Sequence, residues 1–514
     1  MIRRLDVDGV PTLLAPAPGP VRAGLVFRVG VADETLPRRG ITHLLEHLAL
    51  APFGPLDHNA NGMTDALFTT FVVRGGPDEI TTFLATVCRH LHEPPAGRLA
   101  VEREILHVEE SGRGGGGPDQ LPLWRHGARD HGLVSYPEYG LAGLTEDDLR
   151  DWAARWFTRQ NAVLFLTADE VPTGLRLDLP DGVRQPVPTP SSALPHTPAY
   201  FPAGAGLVAL DAVVRRRAAG VVYAGVLERE LFRSLRHEDG LSYRVAAGYQ
   251  PRYDGTARVI AIADALPDKQ DAALGGVIDV LATLRVGRID PADRDVVVTR
   301  HRDELSAPDA AATRLSGCAR DLLTGQPCPD LDELRAEFDA VTLDDLRDVA
   351  REVAASALIM VPQGLTADWA GFSEAPTTSE EVVEGTVHLA VDGEAELTVG
   401  ADGVTATYGE AVSTVRYADC AALLAWPDGA RRLIGGDGIT VHVEPNLFVP
   451  TPDLTVVDDT VPRERHVAMP ARHAESIPPP PATPGRLTRM ARSVRGATNT
   501  AGAWLSAVLW DPGR

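Results

Sequence analysis

Apolar and polar positions along the first third of the chain follow two patterns. Some segments are short, continuous apolar runs, and others have apolar residues at helical spacing. A mostly apolar run over residues 21–31 predicts a strand, and the apolar pattern over 40–50 predicts a helix directly after it. Further on, Thr145 begins a helical pattern with acidic residues in its first turn, and the pattern over 161–167 indicates a buried strand. This alternation predicts that residues 1–170 form a mixed α/β unit.

The rest of the chain divides where its composition changes. Prolines recur over 171–202 and would interrupt both helices and sheet ladders, so we expect a linker there. Residues 203–365 return to strands and long amphipathic helices, which predicts a second α/β unit. A linker follows over 366–384. Short Val/Thr/Leu runs between turn-forming residues over 385–450 then predict a small β-rich domain. Its strand rhythm resembles that of bacterial PH-like or GRAM-like domains, which implies packing or docking on a partner.

The last segment, 451–514, is proline-rich at first and then basic and amphipathic. A helical pattern over 485–510 combines apolar residues with arginines at every third position: Arg486, Arg489, Arg492 and Arg495. Such a helix can dock on the acidic body of its own chain, on a partner or on a membrane surface. The predicted fold class is therefore α+β, with two α/β units, a small β-rich domain and a helical tail.

Charge and composition narrow the classes of function. The 514 residues include 71 acidic and 49 basic ones, a formal net charge of −22, which argues against binding nucleic acid over the whole surface. The 4 cysteines form none of the close pairs that thiolate metal sites need, so we expect free thiols. No secretion signal is visible, and no apolar run is long enough to span a membrane. We therefore expect a cytoplasmic protein.

The most informative motif is His43-Leu44-Leu45-Glu46-His47, within the first predicted helix. Histidines at i and i+4 lie one above the other on a helix face, where two neutral imidazoles can share a zinc ion. Glu46 lies on nearly the same face, where its carboxylate can take a proton from a metal-activated water. The surrounding leucines predict a buried helix, and buried ionisable groups need partners or a metal. The motif thus predicts His43 and His47 as zinc ligands and Glu46 as the catalytic base.

A catalytic zinc ion usually has three protein ligands and one open position, so a third ligand is needed. The helical pattern over 101–110 places Glu102 and Glu109 on one stripe, seven residues apart. Glu109 would complete the site, and Glu102 would support the ligands from about two turns away. Periodicity alone leaves Glu104 and Glu110 as alternatives to Glu109.

At this point the residues resemble a known family. The inverted motif H-x-x-E-H is similar to that of the insulinase/pitrilysin (inverzincin) zinc metallopeptidases, which include the mitochondrial processing peptidase and bacterial relatives. The run Glu102-Arg103-Glu104-Ile105-Leu106-His107-Val108-Glu109 matches the family's E-R-x-x-x-x-x-E, whose last glutamate is the third zinc ligand. The resemblance therefore implies Glu109 as that ligand. It covers roughly residues 1–365 as two homologous units that close like a clamshell.

Two further elements carry the resemblance. Asn61-Gly62-Met63-Thr64 is similar to the family's N-A-x-T strand segment, which implies that Asn61 contacts substrate. The stretch 235–243 is similar to the R-E-x-x-G-L-x-Y element of the second unit. That likeness implies that Arg236 binds substrate and that Tyr243 stabilises the tetrahedral oxyanion. Without the zinc motif, the same stretch would predict only a helix end followed by a packed tyrosine.

The chain departs from the family in one place. His47 and Glu109 are 62 residues apart, fewer than the family usually has, and the shortfall falls over 52–61. We expect a loop there in place of a helix, which would widen the mouth of the chamber or alter substrate contacts.

Together these expectations describe a zinc metalloendopeptidase that cleaves peptides or unstructured protein segments, with processing of a precursor peptide as one candidate role. The expected partners are a peptide substrate and a second subunit, as a homodimer or as a heterodimer with a related chain, and no nucleic acid. The alternative is a noncatalytic scaffold or binding subunit of the same fold that acts through its β domain and tail. The presence of all three ligands and the base argues against that alternative.

Overall fold

The computed structural model describes residues 1–54, 59–112, 117–203, 206–238 and 240–480. These residues form two α/β units followed by a β-rich third unit, and each unit has its own hydrophobic core. The predicted class of two α/β units and a β-rich domain is confirmed. The predicted tail helix over 485–510 lies outside the described residues and stays a prediction.

In the described part of the first unit, strands form one sheet in the order β1-β2-β6-β3-β5-β4. The strands are β1 (Arg3–Val7), β2 (Val10–Leu14), β3 (Val21–Phe27), β4 (Ala60–Thr64), β5 (Thr69–Gly75) and β6 (Ala162–Leu166). The helices are α1 (Ile41–Leu50), α2 (Pro77–His92), α3 (Leu99–Gly112), α4 (Leu121–His126) and α5 (Glu146–Trp156). Helix α5 begins at a capping box, in which Thr145 and Asp148 satisfy each other's backbone N–H groups.

The second unit repeats this plan with a sheet in the order β12-β7-β11-β8-β10-β9. Its strands are β7 (Ala199–Pro202), β8 (Leu207–Arg215), β9 (Val245–Pro251), β10 (Thr256–Asp264), β11 (Leu358–Val361) and β12 (Ser373–Glu374). Its helices are α6 (Ala218–Leu231), α7 (Gln270–Arg285), α8 (Pro291–Ser306), α9 (Ala310–Thr313), α10 (Leu315–Leu323), α11 (Leu331–Asp339) and α12 (Leu343–Ser356). A wider, π-helical turn over Phe232–Glu238 continues α6.

Each α/β unit covers the outer face of the other unit's sheet. Helix α10 packs on the first sheet, where Leu315 and Ala319 join one apolar cluster with Val26 and Phe165. Helix α4 packs on the second sheet in the same way, and Trp124 stacks on Phe201 with ring centres 4.7 Å apart. The central strands are therefore buried on both faces, which explains their continuous apolar runs.

The third unit has two sheets around one core, in the orders β16-β15-β14-β13-β20 and β19-β18-β17-β21. Its strands are β13 (Gly385–Ala390), β14 (Ala395–Gly400), β15 (Gly403–Tyr408), β16 (Ala411–Arg416), β17 (Cys420–Ala425), β18 (Arg431–Gly435), β19 (Thr440–Val443), β20 (Phe448–Val449) and β21 (His466–Ala468). One short helix, α13 (Thr455–Thr460), is described within it.

Short strands lie where the sequence predicted linkers or a tail. Strand β7 lies inside the predicted linker 171–202, β12 inside 366–384 and β21 beyond residue 450. Strand β7 pairs with β11 and with the edge strand β12, and β21 pairs with β17 as the edge strand of its sheet. Strands of two to four residues carry too little periodicity to be predicted from the sequence, and only their pairing partners define them.

The prediction of four free thiols is wrong for two of them. Cys318 and Cys328 form a disulfide, whereas Cys88 and Cys420 are free and buried. Helix α10 ends at Leu323 and the chain turns back at Gly325, which brings Cys328 beside Cys318. Free cysteines therefore no longer support a cytoplasmic location, which stays a prediction. None of the helices in the described ranges has the length and apolar character that crossing a bilayer requires.

Candidate metal centre

Helix α1 is fixed at its first turn by a buried carboxylate. Gly40 precedes the helix with φ of 102°, a left-handed conformation that favours glycine. The backbone N–H groups of Gly40 and Thr42 donate to the Glu34 carboxylate at 3.0 and 2.9 Å. This carboxylate satisfies amides that have no partner within the helix and complements the helix dipole. The orientation of the helix, and hence of its histidines, is therefore set from its N-terminus.

His43, His47 and Glu109 lie together between α1 and α3. Each offers a ligand atom, and these three atoms all lie within 4.8 Å of one another. Glu109 Oε2 is 4.0 Å from His43 Nε2, and Glu109 Oε1 is 3.8 Å from His47 Nε2. The imidazole rings are perpendicular, with centres 4.8 Å apart. The structure thus brings the three sequence-predicted ligands to one point.

The other ring nitrogen of each histidine faces a buried carboxylate. His43 Nδ1 lies 3.0 Å from Glu138 Oε1, and His47 Nδ1 lies 3.5 Å from Glu102 Oε2. Arg98 donates to Glu102 Oε1 at 2.7 Å and so holds that carboxylate in place. A carboxylate at Nδ1 favours the tautomer whose Nε2 lone pair is free for a metal.

This donor set fits a divalent zinc ion. Two imidazole nitrogens and one carboxylate oxygen are the ligands of many catalytic zinc sites, and the fourth position stays open there. The Glu109 side chain is 44 % exposed, whereas Glu102 and Glu138 are buried. The ligand cluster is therefore open to solvent on the Glu109 side and enclosed on the side of the supporting carboxylates.

Glu46 is buried between the two histidines of α1 and strand β4. Its Oε2 accepts a hydrogen bond of 2.6 Å from Thr64 Oγ1, and the Thr69 hydroxyl lies 3.4 Å beyond it. Burial raises the pKa of the Glu46 carboxyl, and the hydrogen bond from Thr64 opposes that shift. Glu46 is therefore a carboxyl group with raised proton affinity, oriented by Thr64 at the edge of the ligand cluster.

Asn61 lies on β4, which is the edge strand of the first sheet. Alternate residues of a strand point to opposite faces, and a Cβ on Gly62 would lie 2.6 Å from Glu46 Oε1. Gly62 and Thr64 therefore face Glu46, whereas Asn61 and Met63 point away from it and are exposed. The outer edge of β4 runs beside the candidate base. Part of the shortened segment 52–61, residues 55–58, lies outside the described residues.

Arg236 and Tyr243 lie together at the end of the helix that continues α6. The Arg236 guanidinium carbon is 5.2 Å from the centre of the Tyr243 ring and 5.0 Å from that of Phe232. Tyr243 is 81 % exposed, and its backbone N–H donates to Asp264 Oδ1 at 2.8 Å. None of these contacts is with a residue of the ligand cluster. The structure brings this pair together in the second unit and leaves it exposed.

Two residues of this site are not predicted from the sequence. Glu138 lies in a loop with no periodic pattern, and its one signal is an acidic residue between two tyrosines. Thr64 was part of the quoted strand motif, but the motif gave no reason to assign its hydroxyl to Glu46.

Comparisons with known proteins point to the fold. No protein-family model matches this chain, and no curated protein matches it either. Among solved structures, a protease from Helicobacter pylori is 15% identical, covers 71% of this chain and 99% of its own, and superposes with a TM-score of 0.58.

Two further structures share the same plan. The first half of the periplasmic protease PqqL from Escherichia coli is 14% identical, with 72% of this chain and 93% of that chain covered and a TM-score of 0.57. A peptidase M16 inactive domain from Pseudomonas fluorescens is 13% identical, with 73% and 100% covered and a TM-score of 0.59. At such identities the likeness concerns the fold alone. This chain has the fold of M16 peptidases.

Proposed function

We propose that this protein is a zinc-dependent endopeptidase that cleaves peptides or unstructured protein segments. The observation that carries the proposal is the meeting of His43, His47 and Glu109 at one point, with Glu46 buried beside them. A peptidase fold can lack activity, as the inactive domain from Pseudomonas fluorescens shows by its name. The proposal therefore rests on the side chains of this site and not on the fold.

The ligand residues and their supports have separate tasks. His43 and His47 would hold the ion through Nε2 and Glu109 through a carboxylate oxygen, while Glu138 and Glu102 orient the two rings. When bound, zinc supplies Lewis acidity that polarises a carbonyl group and makes water a better nucleophile near neutral pH. The exposed Glu109 side leaves room for substrate.

Glu46 would move the proton. Its raised pKa lets the carboxylate take a proton from the attacking water and hold it for transfer to the leaving amine. Thr64 donates to Oε2 at 2.6 Å, so one oxygen is held by the protein and the other is left for the water. The carboxylate is thereby kept in one orientation during the transfer.

Strand β4 would bind the substrate backbone. Within the described residues β4 is an edge strand, and the N–H and C=O groups on its outer edge can pair with an extended peptide that adds as a further strand. Asn61 lies on this strand and would contact the added peptide. Arg236 of the second unit would bind substrate, and Tyr243 would stabilise the tetrahedral oxyanion. Most of the backbone of a folded protein is already paired within its own structure, which favours peptides and unstructured segments as substrates.

Glu46→Gln tests the proposal. We expect the variant to retain zinc, measured by elemental analysis after dialysis, and to lose cleavage of an unstructured peptide library read by mass spectrometry. Glu104→Gln, at an exposed position of α3, is the matched control and should cleave like the wild type. A Glu46→Gln variant with full activity would contradict the role of Glu46. A zinc-loaded wild type that cleaves nothing would favour the noncatalytic alternative.

A further inference from the structure

Glu138 connects the candidate metal centre to a loop that has two packed sides. On one side its Oε1 lies 3.0 Å from His43 Nδ1 and 3.4 Å from Arg39 Nη1. Arg39 also donates to Glu34, the carboxylate that fixes the start of α1, and to the backbone carbonyl of Leu133 at 3.1 Å. The loop that carries Glu138 is thus tied to the histidine helix by a buried network of charged groups.

The other side of this loop packs on the β-rich unit. One apolar cluster joins residues of the first unit to residues of β17, β18 and β21. Its buried members are Val31, Leu36, Leu123, Ala128, Leu133 and Tyr136 from the first unit, and Ala422, Leu424, Ile434 and Val467 from the β-rich unit. Leu133, Leu424 and Ile434 are each 1 % exposed.

The two backbones also meet directly at one end of this contact. The N–H of Ala128 donates to the carbonyl of Gly436 at 3.1 Å. A Cβ on Gly127 would lie 2.3 Å from that same carbonyl oxygen, and Gly127 has φ of 70°. Only glycine allows this approach, so the loop and the β18–β19 turn are fitted to each other.

We infer that the β-rich unit is a support for the metal centre, because its contact with the 127–141 loop holds Glu138 against His43. This inference rests on the proposed function. A carboxylate that orients a metal-ligating imidazole raises metal affinity, and its loss typically costs about 10- to 100-fold. Packing that restricts the loop keeps Glu138 in position before the metal binds. Loosening the packing should therefore weaken zinc binding at a distance, through Glu138.

Strand β17 offers a matched pair of substitutions. Leu424 faces the loop, whereas its neighbour Leu423 faces the core of the β-rich unit and is 0 % exposed. Zinc affinity is measured by competition with a chromogenic chelator, and thermal unfolding is followed in parallel. We expect Leu424→Ala to weaken zinc binding by about 3- to 10-fold, which is less than the roughly 10- to 100-fold that full loss of the partner produces. Leu423→Ala should lower the unfolding temperature similarly but leave zinc affinity within about twofold.

Two further variants keep the inference testable if Leu424→Ala prevents the β-rich unit from folding. Leu133→Ala loosens the same contact from the loop side, and it should weaken zinc binding like Leu424→Ala. Glu138→Gln should weaken it by about 10- to 100-fold. In the double variant of Glu138→Gln and Leu424→Ala, the second change should add nothing, because the carboxylate it acts through is already gone.

The inference is overturned if both Leu133→Ala and Leu424→Ala bind zinc as the wild type does. It is equally overturned if Leu423→Ala weakens binding as strongly as Leu424→Ala, or if Leu424→Ala has its full effect without Glu138. Wild-type protein that binds no zinc would end the proposed function as well, whereas wild-type binding with unaffected contact variants would end this inference alone.

Discussion

The two α/β units follow one plan, yet only the first has a candidate metal centre among the described residues. Helix α1 connects β3 to β4 as α6 connects β8 to β9, and the paired strands occupy the same places in their sheets. The first ten residues of α6, Ala-Ala-Gly-Val-Val-Tyr-Ala-Gly-Val-Leu, include no histidine and no carboxylate. The fold therefore forms this helix without ligands, and His43, Glu46 and His47 are additions to it.

Those additions cost stability in the metal-free protein. Burial raises the pKa of Glu46, so ionising this carboxyl costs more free energy in the folded protein than in the unfolded chain. Helix α6 has apolar residues in the corresponding interior and carries no such cost. The buried carboxylate and its two histidines thus distinguish α1 from α6, although the shared fold does not require them.

The largest expected effect comes from removing a ligand on α1. His47→Gln should weaken zinc binding by far more than the roughly 10- to 100-fold that loss of a supporting carboxylate costs. The fold should survive, because α6 forms the same helix with no ligand. Elemental analysis and circular dichroism measure the two outcomes. Tyr223→Phe, in the buried face of α6, is the control and should bind zinc normally. Unfolding of the wild type when zinc is removed would mean that the metal site is structural.

The contacts between the units differ as sharply as their helices. Arg125 of α4 forms an ion pair with the buried Asp211 of β8. Arg320 of α10 forms an ion pair with Asp65 at 3.1 Å, and both of these side chains are partly exposed. Burial alone would raise the pKa of Asp211, but the guanidinium groups of Arg125 and Arg258 outweigh it and lower the pKa to about 2. The first contact is therefore a fully desolvated ion pair and the second is screened by water.

Arg125→Met should destabilise the protein by about 3–5 kcal/mol, since it leaves a carboxylate buried with one partner fewer. Arg320→Met should cost at most about 1 kcal/mol, as is usual for solvent-screened pairs. Urea unfolding at pH 7 compares the two variants directly. Equal losses would show that the two reciprocal contacts contribute alike, despite their different burial.

A smaller effect is expected from matched glycines on the two edge strands. A Cβ on Gly62 of β4 would lie 2.6 Å from Glu46 Oε1, whereas a Cβ on Gly248 of β9 would meet its nearest atom, in Ile260, at 3.6 Å. Gly62→Ala should displace Glu46 and lower peptide cleavage by about 10- to 100-fold, with zinc content unchanged. Gly248→Ala should leave both values as in the wild type. If Gly62→Ala keeps full activity, the position of Glu46 is not critical.

The sequence predicted what local spacing encodes and missed what distant packing creates. The H-x-x-E-H helix could be predicted because its three functional residues share one helix face. Glu109 could be chosen over Glu104 and Glu110 only through the family resemblance, since periodicity fits several acids of α3. Glu138 lies 95 residues after His43 in an aperiodic loop, so nothing local relates the two. The disulfide and the docking of the β-rich unit depend in the same way on chain reversals that no spacing rule describes.

The smallest expected effect is a change in stability at acidic pH, and it arises where the two units meet the linker. His126 Nδ1 is 2.6 Å from the Ser191 carbonyl of the linker, and the His131 ring lies beside it, with centres 5.5 Å apart. Burial lowers the pKa of His131 to about 3, and the Arg252 guanidinium of the second unit adds to this shift. Burial lowers the pKa of His126 as well. Both rings are therefore neutral in the folded protein at mildly acidic pH.

An unfolded chain protonates these histidines near pH 6.5, whereas the folded protein does not protonate His131 until about pH 3. Stability should therefore be intact above pH 6.5 and fall as the pH drops below it, by up to about 1.4 kcal/mol per pH unit for each histidine. His131→Gln should lose about 1 kcal/mol less than the wild type between pH 7.5 and 5.5. Urea unfolding in the presence of a chelator measures this without a contribution from the metal ligands. His196→Gln, at an exposed position of the linker, should follow the wild type. If His131→Gln loses as much stability on acidification as the wild type, acid acts on the first unit elsewhere than at its junction with the second.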